Sequence, residues 1–189
     1  MNIVDRAKNI IRTPKTEWLA IAGEEPDAKQ IITGYVLPLA LIPAVAAMLG
    51  WGFVGAAYTT SFSLGIATGL MSLGTALLGV YLAAYVVDFL APNFDSERNL
   101  GRAIQLVAYS YTPAWIAGVL LLLPFLSWLA LLAGLYGIYL MYLGLPHIMN
   151  TPEDKVVVYL VVSIVVVLVV HFVLASILRM IFFGILGVS

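Results

Sequence analysis

Five stretches of this chain run without an Asp, Glu, Lys or Arg for long enough to matter: 31–50, 62–87, 103–123, 125–145 and 156–178. Each is close to the roughly 20 residues that a helix needs to cross a bilayer. A backbone inside hydrocarbon must satisfy its own polar groups, so stretches of this kind fold as helices or not at all. Only 10% of residues are charged, 62% are hydrophobic and the mean hydropathy is +1.04, against about a quarter charged in a soluble domain. The expected fold class is an all-α integral membrane protein with five transmembrane helices. The third and fourth stretches nearly touch, but Pro124 removes a backbone donor between them and predicts a tight turn.

Basic residues alternate by side. Arg6, Lys8, Arg12, Lys15 and Lys29 precede the first span, Arg98 and Arg102 follow the second, and Lys155 precedes the fifth. The segments 51–61 and 124–127 carry no Lys or Arg, which puts the N-terminus in the cytoplasm and, after five spans, the C-terminus outside. Arg179 is the dissenter at the outer end of the last span. The expected organisation is a cytoplasmic amphipathic or interfacial segment over 1–29 and a five-helix transmembrane domain over 30–189. The start lacks the apolar core and small-residue cleavage site of a signal peptide, so the N-terminus should be retained.

Within the first segment, Ile3, Val4, Ala7, Ile10 and Ile11 recur at helical spacing while Asp5, Arg6, Lys8, Asn9 and Arg12 fall between them. That pattern predicts an amphipathic helix, lying on the membrane surface or packed on the protein's own cytoplasmic face. Thr13 is expected to cap a second helix beginning at Pro14, with Trp18 and Leu19 at headgroup level. The net charge of −1 offers nothing to nucleic acid. The chain has no cysteine, so thiol chemistry is closed.

The stretch Leu90-Ala-Pro-Asn-Phe-Asp-Ser-Glu-Arg-Asn-Leu-Gly-Arg-Ala-Ile-Gln-Leu-Val-Ala-Tyr-Ser-Tyr-Thr-Pro113 resembles the signature region of the Ypt-interacting protein (Yip) domain family. There a cytoplasmic loop leads into a helix ending in an alanine-tyrosine-serine-x-x-proline-like run, matched here by Ala108, Tyr109, Ser110 and Pro113. Thr13 to Trp18 is similar to the proline-containing start of bacterial members. The resemblance implies five helices and a cytoplasmic N-terminus, in agreement with the charge pattern. Eukaryotic relatives bind Rab-type GTPases, but their acidic, tyrosine- and glycine-rich N-terminal motif has no match in this chain, so that activity does not carry over.

Small residues crowd the second span, with Ser61, Gly65 and Gly69 four apart and Gly79 further on. Such a face lets a second backbone approach closely, within one subunit or at a homodimer seam, or else lines a substrate path. Pro38, Pro43 and Pro113 each free a carbonyl four residues upstream and should kink the first and third spans, where Ser110 or Thr112 can restore a hydrogen bond. Asp88 is the most costly charge near membrane depth, and it is expected to snorkel or to pair with Arg98 or Arg102. On a helix starting near Ser96, capped by Asp95 or Ser96, those two arginines would share a face.

Catalytic constellations are not expected. Asp88 lies toward the cytoplasmic end and His171 toward the outer leaflet, His147 and His171 lack a zinc spacing, and Asn93, Asp95 and Glu97 lack the glycine and distal glutamate of a calcium loop. No cofactor or metal is expected. The leading reading is a non-catalytic protein of the cell inner membrane whose partners are the bilayer, other membrane or cytoplasmic proteins, or further copies of itself. The alternative is a small transporter or channel with a site near the kinked spans one and three.

Overall fold

A computed structural model describes residues 2–54 and 61–186. Residues 1, 55–60 and 187–189, which fall in the expected 1–29 segment, the expected 51–61 loop and the end of the expected 30–189 domain, lie outside the described residues. The described residues contain helices and no strand. Two short helices come first, α1 (Ile3–Arg12) and α2 (Pro14–Ala22). Five helical stretches long and apolar enough to cross a membrane follow: Ala28–Val54, Phe62–Phe94, Leu100–Leu122, Pro124–Ile148 and Val156–Phe182.

Span one is built from α3 (Ala28–Ile31), a π-helical turn over Ile32–Val36, α4 (Leu37–Leu49) and a second π-helical turn over Gly50–Val54. The first wide turn ends just before Pro38, which cannot donate to Gly34; local re-spacing of the ladder is how a proline is absorbed within a span. Pro43 lies inside α4. Span two is the unbroken α5 (Phe62–Leu90), extended by a 3₁₀ turn over Ala91–Phe94. Span three divides at Tyr111 into α6 (Leu100–Ser110) and α7 (Thr112–Ala117). The cause of the break is Pro113, which leaves the Tyr109 carbonyl without its donor; the Thr112 hydroxyl donates to that carbonyl at 2.8 Å. The expected turn at Pro124 is present, with the Leu126 amide donating to the Leu123 carbonyl at 2.8 Å. Spans four and five are α8 (Ser127–Ile148) and α9 (Val156–Leu186).

The central helix is α5, packed on α4 along one side and on α9 along another. Its small residues are what allow this. A Cβ at Gly65 would stand 2.6 Å from the Met48 carbonyl oxygen and 2.8 Å from the Gly52 Cα, and one at Gly69 would stand 2.9 Å from the Met48 Cβ. Gly79 faces the other neighbour, where a Cβ would meet His171 Nε2 at 2.6 Å.

The N-terminal segment does not stand apart from the spans. Ile10, Trp18 and Ile21 are fully buried in one core with Leu106, Tyr109, Leu140 and Leu145. Here the headgroup position expected for Trp18 is corrected: its ring fits where Gly144 has no side chain, 2.9 Å from where a Cβ would be, and only Leu19 is exposed. The Thr13 cap is corrected too. Thr13 occupies the position before α2, but its hydroxyl donates backwards to the Asn9 carbonyl at 3.1 Å instead of accepting from the helix.

Candidate functional site

All ten acidic residues and eight of the nine basic ones belong to three segments: the chain from Asp5 to Lys29, the chain from Asp88 to Arg102, and the link between spans four and five. The structure brings these segments to one end of the bundle. The Glu97 amide donates to the Met149 carbonyl at 3.0 Å, the Ser96 hydroxyl donates to Thr151 Oγ1 at 2.9 Å, and Lys155 lies 4.0 Å from Asp95.

At the centre of this end sits Arg6, which is 5% exposed. Its guanidinium donates from Nη1 to Glu17 Oε1 at 2.7 Å and from Nη2 to Glu24, and it lies 5.4 Å from the centroid of the Tyr109 ring. Glu17 is 6% exposed. Burial on its own pulls the Arg6 pKa down, but the Glu24 hydrogen bond and the surrounding charges outweigh it, so the guanidinium is held above its ordinary value. A planar fork of donors serving two carboxylates and stacking on an aromatic face is a task arginine performs and lysine does not.

By residue type Arg6 is expected on the polar side of α1. The structure corrects this: Arg6 lies three residues after Ile3 and four before Ile10, so it shares their stripe, whereas Val4 is 52% exposed. Tyr109 packs edge-on against Tyr35, whose hydroxyl is 2.7 Å from Thr112 Oγ1. Beside this cluster opens a cavity of about 340 Å³ lined by Arg6, Glu24, Asp27, Gln30, Tyr35 and Gln105 among others.

Asp88, at the end of span two, is 6% exposed and pairs with Arg98, whose Nη2 stands 3.2 Å from Oδ2. Arg102 is bonded elsewhere. It donates from Nη1 to the Glu24 carbonyl at 2.9 Å and to Gln105 Oε1 at 3.3 Å, tying the N-terminal segment to span three. The division follows from where the helix starts. Its cap is Asn99, whose Oδ1 accepts from the Arg102 amide at 3.1 Å, not Asp95 or Ser96. Arg98 therefore precedes the helix and folds back on α5, while Arg102 stands on the first turn, so the two do not share a face. Asp95 instead takes a left-handed conformation (φ 53°) that closes the turn after span two.

The Arg98 side chain is 56% exposed and that of Asp88 only 9%, which sets the pair between two regimes: about 0 to 1 kcal/mol for exposed pairs and about 3 to 5 kcal/mol for breaking a buried one. Asp88→Ala and Arg98→Ala should each lower stability by about 1 to 3 kcal/mol in detergent melts, with less than the sum in the double variant. Arg102→Ala should add to Asp88→Ala without coupling; a coupling as large as that of Arg98 would refute the assignment.

Three comparisons bear on this chain. The family model described as Yip1 domain matches residues 8–177. Two curated relatives, both described as inner membrane protein YohC, come from Escherichia coli strain K12 and Escherichia coli O6:H1 strain CFT073. Each is 29% identical over 117 residues, 59% of this chain and 60% of the relative's length. No solved structure matches.

Proposed function

We propose that this chain, which belongs to the Yip1 domain family, is a non-catalytic membrane protein that recruits or organises protein partners at the cytoplasmic face of the inner membrane. The observation that carries the reading is the gathering of nearly all the chain's charge at one end of an apolar bundle, with α1 and α2 held there by the buried Arg6 pair. Fixed charge and a fixed short helix pair make a surface that a protein can recognise, and the Val4 and Leu19 side chains, 52% and 59% exposed, stand out from it. The bias of Lys and Arg toward this end supports a cytoplasmic N-terminus and an external C-terminus. The relatives' description as inner membrane proteins supports the membrane assigned.

The transport reading rests on the kinked spans one and three. The Pro113 kink has a local explanation in the Thr112 hydroxyl bonded to the freed Tyr109 carbonyl, and this favours the partner-binding reading.

Two measurements test the proposal. Reporter fusions at the two ends should report cytoplasm for the N-terminus and exterior for the C-terminus. Photo-crosslinking residues placed at Lys8 and Leu19 should give discrete protein adducts in native membranes, and one placed at Phe125, 70% exposed at the opposite end, should not. Equal adducts at both ends, or only lipid adducts at Lys8 and Leu19, would refute it.

A further inference from the structure

A second cavity lies inside the spanning region, away from the charged end. It has a volume of about 510 Å³ and is bounded by spans three, four and five with Ala83 of span two, within the roughly 300 to 1,000 Å³ typical of small-molecule sites. Its floor is closed by Val107, Ser110 and Ser163, all buried. Its mouth is formed by Leu131, Leu135 and Leu168, which are 74%, 63% and 63% exposed. The cavity thus opens sideways, through the belt of the protein that faces acyl chains.

The floor is not wholly apolar. Ser110 and Ser163 are 1% and 0% exposed, and neither hydroxyl has a hydrogen-bond partner. A hydroxyl in a membrane helix has an easy partner in the carbonyl three or four residues back. Several other hydroxyls in the spans take it: Thr33 bonds Lys29, Thr68 bonds Leu64, Thr112 bonds Tyr109 and Ser176 bonds Phe172, while the Thr75 hydroxyl of span two also lacks a partner but lies outside this cavity. Ser110 and Ser163 do not, although both line the same cavity. An unmade hydrogen bond in a medium without water is costly, and two at one cavity floor mark a place where an occupant supplies the acceptor.

Depth narrows the chemistry. Ser110 is ten residues into span three and Ser163 seven into span five, roughly 15 Å and 10 Å along helices that rise 1.5 Å per residue. A charged headgroup does not descend that far, whereas an uncharged oxygen on an apolar body does. We propose that this cavity binds an uncharged, bilayer-dissolved molecule through a carbonyl oxygen that accepts from the Ser110 and Ser163 hydroxyls. The carbonyl of an isoprenoid quinone and the ester carbonyl of a diacylglycerol share this chemistry. The proposal is independent of the partner-binding reading, because it concerns another part of the molecule.

The test uses the full-length protein in lipid nanodiscs and two photoreactive probes of equal length, a long-chain ketone with a mid-chain carbonyl and the corresponding alkane, each carrying a diazirine. The ketone should label peptides of spans three to five about tenfold more than the alkane, the discrimination available from one or two neutral hydrogen bonds. Ser110→Ala combined with Ser163→Ala should abolish that preference while leaving alkane labelling unchanged. Gly134 lines the cavity and a Cβ there meets nothing within 4 Å, so Gly134→Leu should fold normally and reduce labelling by both probes. Competition by an unlabelled isoprenoid quinone or by diacylglycerol identifies the source of the carbonyl. Equal labelling by ketone and alkane would overturn the proposal, since the cavity would then hold ordinary acyl chains. A ketone preference that survives the double serine variant, or crosslinks joining two copies of the chain through the cavity, would overturn it as well.

Discussion

Arg6→Ala should lower the melting temperature of the detergent-solubilised protein more than any other single charge removal, by about 3 to 5 kcal/mol in equivalent stability. The reason is what the substitution leaves behind. Glu17 is 6% exposed and its Oε1 accepts from Arg6 at 2.7 Å, so removing the guanidinium strands a buried carboxylate, which costs far more than the pair itself is worth. Arg6→Lys should recover only part of the loss, because one ammonium cannot serve Glu17 and Glu24 together while stacking on Tyr109. Glu17→Gln in the Arg6→Ala background should restore stability relative to Arg6→Ala alone, since a neutral amide is cheaper to leave without its partner. A melting temperature for Arg6→Ala within a degree or two of the parent would mean that α1 and α2 are not held by this pair.

Arg6 also shows where the sequence stops being legible. The spans could be read because the distance of a residue from water follows composition over twenty positions, and a helix is the only backbone that such a stretch can adopt. Which neighbour a side chain meets depends on single positions. Arg6 looks polar by type, yet its spacing of three and four from Ile3 and Ile10 puts it on the buried stripe, and that spacing was available from the sequence. The same holds for the Thr112 hydroxyl next to Pro113, which was readable as one of two candidates for the freed carbonyl. The burial of Trp18 was not readable, because it depends on Gly144, 126 positions away, and an aromatic at the end of an amphipathic segment is equally suited to headgroups. Choosing between Arg98 and Arg102 as the partner of Asp88 turned on a difference of about four residues in where the helix starts, near Ser96 as expected or at Leu100 as found, and element boundaries are the part of a sequence reading most prone to shift. The two cavities left no sequence signal, since a cavity is the space between elements rather than a property of any one of them.

The second large effect should come from closing the gap between spans one and two. Gly65→Leu is expected to prevent native packing or to lower stability by at least about 3 kcal/mol, the upper end of the range for overpacked sites. A Cβ at Gly65 meets backbone on both sides, the Met48 carbonyl oxygen at 2.6 Å and the Gly52 Cα at 2.8 Å, and backbone atoms move only if a whole span moves. Even Gly65→Ala should therefore destabilise measurably. Gly69→Leu should be damaging but less so, because its nearest obstacles, the Met48 Cβ at 2.9 Å and the Ala44 carbonyl oxygen at 3.1 Å, are also fixed to the backbone but stand farther off than those at Gly65. Gly134→Leu is the control on the same scale, since its Cβ enters open space. Helices in lipid associate through close packing and not through release of water, so the order of melting temperatures should follow the order of these distances: Gly134→Leu near the parent, then Gly69→Leu, then Gly65→Leu lowest. Equal stability for Gly65→Leu and Gly134→Leu would show that spans one and two do not meet at Gly65, and the central place of α5 in the bundle would fall with that contact.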